Sequence, residues 1–390
     1  MAAKSLQEIL KSITKEFGEG TIQIGVPAIE DAGVISLGSP SFDFCLYGGL
    51  PKYRMIEFSG AEGSGKTTAA FLAAASYQRE EKKQNPDNPR AVVYVDNEGT
   101  LDKVWAKKMG FDVDDEIVPT AYFTPEGQSA EKIFDRLIDL IESGEVGLII
   151  IDSLATLIPM QLEDESMEKQ QMGGIAKSLT RFSNAIIGLL RKYRVTLIAI
   201  NQVRENISGY GDPLITNGGR AWKHNCSVRL MFKKGDFFDA EGNVLTKKAE
   251  SPAGQMMEVS VLKTKVSKWD RKLGRMHLSY TQGVDIMQDT IETAVHLGLI
   301  DNSVQGSYKL IDVETGEPLL DSDGNPVKIR GKNNIKPYFE EHLDVYRKLY
   351  DKVYEKLSQK DDPFIKSFEE MLNVNVADKF GIDFSNSEEL

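Results

Sequence analysis

The hydrophobic pattern divides this 390-residue chain into three unequal stretches. At the start, Leu6, Ile9, Leu10, Ile13 and Phe17 recur at helical spacing, and Ser5 with Glu8 three positions on is a capping-box pattern, so a short amphipathic helix is expected. Gly18 and Gly20 end it, and Thr21–Val26 reads as a strand. Such an arm can fold back on its own core or pack on a neighbouring subunit; the pattern leaves both open. From about residue 38 to 285, strand-like and helix-like runs alternate. Short β-branched runs at Met55–Phe58, Ala91–Val95, Gly147–Ile151 and Val195–Ile200 fit parallel strands covered on both faces, and Thr67–Gln78, Ala130–Glu142 and Ile175–Tyr193 fit the covering helices. Ser227–Phe232, Met257–Leu262 and Met276–Tyr280 have no helix pattern between them, so the sheet is expected to finish with antiparallel strands. From 286 onward, helical runs at Thr290–Leu297 and Tyr338–Leu357 flank a turn-rich insert in which Glu314-Thr315-Gly316 and Asp323-Gly324-Asn325-Pro326 signal hairpins. Asp321–Asn325 lacks the spacing and closing glutamate of a calcium loop. The polar tail, Asp383–Leu390, is expected to be mobile. The pattern predicts an α/β protein with a mostly parallel central sheet, divided into an arm (1–37), a core (38–285) and a small α+β C-terminal domain (286–390).

One polar interruption carries chemistry at once. Gly60-Ala61-Glu62-Gly63-Ser64-Gly65-Lys66-Thr67-Thr68 is a complete phosphate loop between a strand run and a helix run. Its glycines let backbone N–H groups turn toward one phosphate chain, Lys66 supplies charge at the β/γ-phosphates, and the Thr67 hydroxyl suits Mg²⁺. The expected ligands are therefore ATP, or another nucleoside triphosphate, and Mg²⁺. The run Gly147–Asp152 ends an apolar strand in a carboxylate, the Walker B pattern that reaches the metal through water. A second acid is needed to polarise water, and both Glu98 and Asp96 lie just past the Ala91–Val95 strand.

Other polar segments point to a single nucleic-acid strand. Gln202 sits at a strand end where its amide can report on the γ-phosphate, and it is followed by a glycine- and asparagine-rich loop, Val203–Arg220, carrying Arg204, Tyr210, Gly218, Gly219 and Arg220. The segment Ile158–Gly174 is its counterpart after Asp152, ending in Met172 and Gly173, although Glu163, Asp164, Glu165 and Glu168 make it acidic. Lys177 and Thr180, in the helix that follows, are better phosphate contacts. The basic cluster Lys263, Lys265, Lys268, Arg271, Lys272 and Arg275 reads either as a solvated turn or as a functional pair, Lys263 and Lys265, on one side of a strand end.

Composition narrows the class without changing it. Apolar content of 41% and charged content of 27% are ordinary for a globular protein, and no run reaches the roughly 18 apolar residues of a membrane span. Cys45 and Cys226 are the only cysteines and the four histidines are scattered, so a cytoplasmic setting is expected and a structural metal site is not. The net charge of −12 restricts nucleic-acid binding to local grooves.

Taken in order, Lys15–Ile22, Ile35-Ser-Leu-Gly-Ser, Gly48–Pro51, the phosphate loop, Asp96–Asp102, Ile151–Ser153, Ile200–Gln202, Gly218-Gly219 and Lys263-Thr-Lys265 resemble the RecA recombinases over nearly the whole chain. The resemblance implies a RecA-like P-loop ATPase core whose arm packs on the next subunit in a helical filament. It implies that Glu98 is the catalytic glutamate, that Trp105 stacks on adenine in place of the family's tyrosine, and that Gln202 couples the γ-phosphate to the second DNA loop. Lys263 and Lys265 would reach across the interface into the neighbour's ATP. Implied partners are single-stranded DNA, homologous duplex, further copies of the chain, and single-strand-binding and loader proteins. The acidic first loop and His224, at a position usually aromatic, depart from the family pattern; the inserts near Asp236–Gly254 and Ile311–Lys328 fit a divergent, phage-encoded member. A hexameric helicase with the same core is the alternative, disfavoured by the arm and the paired lysines. A small-molecule kinase is disfavoured by the absence of any lid or acceptor pattern.

Overall fold

The computed structural model of this chain describes residues 5–17, 32–160, 174–205, 214–240, 242–246, 249–267 and 270–358. The first helix, α1 (Leu6–Phe17), starts as its capping box requires: Ser5 N donates to Glu8 Oε2 (2.8 Å) and Glu8 N to Ser5 Oγ (3.3 Å). The Thr21–Val26 strand expectation lies outside the described residues. Strands β1 (Val34–Ile35) and β2 (Leu50–Pro51) pair antiparallel and bracket the short helix α2 (Pro40–Cys45).

One eleven-stranded sheet then dominates. Its parallel part runs in the order β5 (Thr120–Phe123), β4 (Ala91–Asp96), β6 (Val146–Asp152), β7 (Thr196–Glu205), β3 (Met55–Gly60) and β9 (Val228–Phe238). All six residues of β3 and all seven of β6 are buried, the signature of strands covered on both faces. On one face α3 (Lys66–Gln84) packs through Ala69, Ala70 and Ala73–Ala75, small side chains that let the helix approach Phe58, Tyr94 and Phe111. On the other, α5 (Ala130–Ser143) and α6 (Gly174–Lys192) cover Val95, Ile149, Ile151 and Leu197, with Phe134 and Phe182 stacked at 4.2 Å. Burying a Phe or Leu in such a layer contributes about 1.5–3 kcal/mol. The α4 helix (Lys103–Lys108) begins at Asp102, whose Oδ1 accepts from the N–H groups of Val104 and Trp105.

The sheet finishes antiparallel, as expected. β9 runs parallel to β3, because the helix α7 (Gly219–Asn225) precedes it and carries the chain back over the sheet. The antiparallel part is β11 (Gly254–Thr264), β12 (Leu273–Ser279) and β13 (Gly283–Val284), with β10 (Val244–Leu245) beside β9. The Val203–Arg220 stretch is not wholly irregular either: β7 extends to Glu205, and β8 (Leu214–Thr216) pairs back on Val203–Glu205.

Helices α8 (Ile286–His296), α9 (Ile335–Glu341) and α10 (Leu343–Ser358) enclose a separate core of Ile291, Leu310, Ile335, Phe339 and Val353 over the three-stranded sheet of β14 (Ile300–Val304), β15 (Ser307–Leu310) and β16 (Lys328–Arg330). The expected Tyr338–Leu357 helix is broken at His342, which leaves helical dihedrals (φ −126°, ψ 64°) while its Nδ1 lies 2.8 Å from the Tyr338 carbonyl. The insert forms the expected turns: Gly316 N donates to Asp312 O (2.8 Å) and Gly324 N to Asp321 O (3.1 Å). Polar ties join this unit to the core. Asp289 accepts from Ser39 Oγ (2.9 Å) and lies 2.8 Å from His277 Nδ1, while Tyr354 reaches Asp43 (3.4 Å). The polar tail lies outside the described residues.

Asp43 is fully buried, and burial pushes its carboxyl up to about 7 against the hydrogen bonds from Ser36, Leu37 and Tyr354. A folded-state pKa above the reference 3.8 means that the folded chain binds more protons across the window from about pH 4 to about pH 7. Stability should therefore fall as pH rises through that window, by on the order of 1 kcal/mol per unit, and level off above it. Asp43→Asn should flatten this slope, which urea midpoints measured at about pH 5 and about pH 7.5 would reveal; an unchanged slope would assign the dependence to other groups.

Candidate functional site

The chemistry gathers at the carboxyl ends of β3, β4, β6 and β7. Parallel register sets Gly60 beside Gln202 and Asp96 beside Asp152. The phosphate loop leaves β3 with no room for side chains: a Cβ at Gly60 would lie 2.4 Å from the Phe232 carbonyl oxygen. At Gly65, in the left-handed region (φ 90°), it would lie 2.3 Å from Met257 Cε. Lys66, the first residue of α3, is buried and donates to the Ala61 carbonyl (2.7 Å). Burial lowers its pKa, opposed by the nearby carboxylates of Asp152, Glu98 and Glu62.

Thr67 Oγ1 donates to Asp152 Oδ2 (2.8 Å), and so does the Tyr94 hydroxyl (2.9 Å). Burial raises the Asp152 pKa; these two hydrogen bonds pull it down, while Glu98 and Asp96 add to the rise. A hydroxyl and a carboxylate facing each other offer hard oxygens, so this donor set fits Mg²⁺.

The two acids after β4 have different surroundings. Asp96 accepts from the N–H groups of Glu98 (3.1 Å), Gly99 (2.8 Å) and Leu101 (2.9 Å) and from the Tyr122 hydroxyl (2.8 Å). Its oxygens are occupied in holding the loop. The exposed Glu98 instead directs Oε1 to Ser153 Oγ (2.7 Å) and Gln202 Nε2 (3.2 Å), so three strand ends meet at one carboxylate.

Trp105 forms one wall of a cavity of about 260 Å³ shared with Gly63, Gly65, Lys66, Thr67 and Thr68; its Nε1 donates to Thr68 Oγ1 (3.1 Å). Gln255 and Tyr280 complete that cavity, and sequence reasoning missed both. Gln255 Nε2 donates to the Gly63 carbonyl (3.3 Å) and its Oε1 accepts from the Tyr280 hydroxyl (3.2 Å). Tyr94 was also missed. Tyr94 and Tyr280 fall in expected strand runs and Gln255 just before one, with nothing in the pattern to aim them at the phosphate loop.

Lys263 and Lys265 stand apart from their own phosphate loop. Register places Lys263 opposite Arg229, which is opposite Glu57, three residues or about 10 Å before Gly60 and two strands away. Lys263 Nζ donates to the Lys223 and His224 carbonyls (2.7 Å each), at the end of α7. Burial lowers its pKa, and Lys265 adds to this.

The helix that follows the first expected DNA segment meets the end of the second. Gly219, at the start of α7, lies close enough to α6 that a Cβ there would sit 3.4 Å from Ala176 Cβ. Arg204, Arg220 and Lys177 are exposed, whereas the Thr180 hydroxyl is engaged with the Ala176 carbonyl (2.7 Å). Gly218 serves packing, since a Cβ would meet Trp222 at 2.9 Å. Met172, Gly173 and Tyr210 lie outside the described residues.

A family profile described as the RecA N-terminal domain matches residues 4–285. The chain belongs to the RecA family. Protein RecA of Fusobacterium nucleatum is 36% identical over 295 residues, covering 75% of this chain and 72% of that one. Protein RecA of Clostridioides difficile is 31% identical over 346 residues, covering 88% of each. The Nitratiruptor protein of that name is 30% identical over 373 residues, covering 94% of this chain and 97% of its own. Among solved structures, the RadB recombinase is similar with a TM-score of 0.47 at 18% identity, over 64% of this chain and 98% of that one, a likeness too loose to carry an argument. Among the described residues of this RecA-family chain, no helix is long and apolar enough to cross a membrane.

Asp96→Asn tests the loop-holding role. One carbonyl oxygen cannot serve four donors, so the substitution should cost about 1–3 kcal/mol in chemical denaturation. A stability equal to that of the parent would show the 97–101 loop to be held by something else.

Proposed function

We propose that this RecA-family chain is an ATP-dependent DNA strand-exchange protein of recombination and repair, which assembles as a filament on single-stranded DNA and hydrolyses ATP in response to it. The observation that carries the reading is the Glu98–Gln202 contact, because it joins a water-polarising acid of the nucleotide end to the strand that runs directly into the 203–220 segment.

In this reading the β- and γ-phosphates lie against the N–H groups of the phosphate loop, and Lys66 exchanges the Ala61 carbonyl for phosphate oxygen. Thr67 directly, and Asp152 through water, would hold Mg²⁺, which would supply positive charge against the phosphates. Glu98 orients and deprotonates the attacking water, while Asp96 keeps the loop in shape. Trp105 stacks on the adenine at the mouth of the cavity it already lines. Gln202 feels the γ-phosphate and passes its presence to the DNA segments, where Lys177, Arg204 and Arg220, with Tyr210, Gly218, Gly219, Met172, Gly173 and Thr180, take the strand. Lys263 and Lys265 serve the neighbour's nucleotide, a reading supported by their distance from their own loop. The arm, residues 1–37, holds the next copy; 38–285 is the motor and 286–390 an appended domain. Ring or filament is decided by electron microscopy with single-stranded DNA and a non-hydrolysable ATP analogue, where open helices are expected and closed rings would favour a helicase.

Lys66→Ala should lose tight ATP binding, whereas Glu98→Gln should bind ATP and hydrolyse it about 10²-fold more slowly or worse. Unchanged turnover in the Glu98 variant would remove it from the mechanism. Mixing Lys66→Ala protein with Lys263→Ala/Lys265→Ala protein on single-stranded DNA should restore part of the ATPase activity, since some interfaces then join an intact phosphate loop to intact lysines. Mixed filaments without recovery would assign the lysines to their own subunit or to DNA.

A further inference from the structure

Glu57 lies mid-way along β3, three residues before the phosphate loop, and is fully buried. Its Oε1 accepts from Asn201 Nδ2 (2.9 Å) and Trp222 Nε1 (3.1 Å), and its Oε2 accepts from Arg229 Nε (2.5 Å). Packing alone does not call for a carboxylate here: an apolar residue would fill the place without the desolvation cost of a buried charge.

Each donor leads to a different working part. Asn201 precedes Gln202, whose amide meets Glu98, and Asn201 Nδ2 also donates to the Asn217 carbonyl (3.0 Å). Arg229 reaches the Thr216 hydroxyl (3.3 Å) as well. Thr216 ends β8 and Asn217 follows it, on the returning side of the 203–220 segment. Trp222 belongs to α7, whose final carbonyls hold Lys263. One carboxylate thus anchors side chains beside Gln202, at the closing end of the DNA segment, and on the helix that orients Lys263. The arrangement is also incomplete: Asn201 Oδ1 is buried and, among the described residues, accepts no hydrogen bond. A buried amide satisfied on its donor side alone favours any shift of the segment that brings a donor to that oxygen.

We propose that Glu57 is a positioning residue that couples Thr216 and Asn217 to the Glu98–Gln202 pair; this rests on the reading of the chain as a DNA-dependent ATPase. Glu57 is fixed in the sheet between β7 and β9 and does not follow when bound DNA displaces Thr216 or Asn217. The displacement therefore turns Asn201 about its anchor, and Gln202, the next residue, moves with it. ATP at the other end drives the same element in reverse, as linkage requires.

Two ratios read the coupling: ATP turnover with and without single-stranded DNA, and single-strand affinity with an ATP analogue against ADP. Glu57→Gln keeps the shape but leaves one donor facing an amide N–H. Both ratios should fall about tenfold, or to unity, while ATP-analogue binding persists. A merely structural Glu57 would shift turnover with and without DNA together and leave both ratios at parental values, which would overturn the proposal. Trp222→Phe removes the indole donor and spares the ion pair, so it should lose part of each ratio. It decides the matter if Glu57→Gln does not fold, and unchanged ratios there also overturn the proposal. A parent whose turnover ignores DNA overturns the underlying reading and this proposal with it, and that outcome is seen before any substitution is made.

Discussion

The structure depends on the parallel pairing of β3 with β7, β7 with β6 and β6 with β4, since that register alone decides which side chains meet where the strands end. Gly60 is opposite Gln202 and Asp96 opposite Asp152 because the strands pair in those registers. A slip of one residue would exchange the faces of a strand, sending Ile149 and Ile151 to the α3 side and separating Asp152 from Thr67. With apolar cores on both faces, such a slip gains nothing, so the packing of Phe58, Phe71 and Tyr94 on one side and Phe134 and Phe182 on the other fixes the site.

The site also balances charge. Asp152, Glu98 and Glu62 lie near one buried ammonium, Lys66, while burial and the charges of Glu98 and Asp96 raise the Asp152 pKa. Neutral donors relieve part of this: Thr67 and Tyr94 on Asp152, Tyr122 and three backbone N–H groups on Asp96, Ser153 and Gln202 on Glu98. A carboxylate surrounded by neutral donors keeps its charge available to a cation, whereas one locked in an ion pair would not. Asp152 is of the first kind.

What could be read from the sequence was local. The phosphate loop, the Asp152 strand end and the capping box at Ser5 each occupy a few consecutive residues whose conformation follows from their own chemistry. The α4 helix and β5 were passed over because both are short and partly exposed. The α7 helix at 219–225 was not legible because it is only seven residues long and its pattern merges with the glycines before it. Tyr94, Gln255, Tyr280 and the donors to Glu57 were invisible for a different reason. Tyr94 lies 58 residues from Asp152, Trp222 lies 165 from Glu57, and Gln255 lies 192 from Gly63, so only the assembled sheet brings them together.

That separation has a consequence for how the site responds to DNA. Contacts between neighbours in sequence move together, and a shift in one is absorbed by the next. Contacts made across the sheet connect elements that are otherwise independent, here the phosphate-loop strand, the Gln202 strand, α7 and the returning strand at 214–216. In the proposed coupling, such contacts offer a route from Thr216 and Asn217 to Gln202 besides the covalent one. On that proposal the long-range hydrogen bonds under the sheet's carboxyl edge carry the coupling, while the local motifs hold the nucleotide.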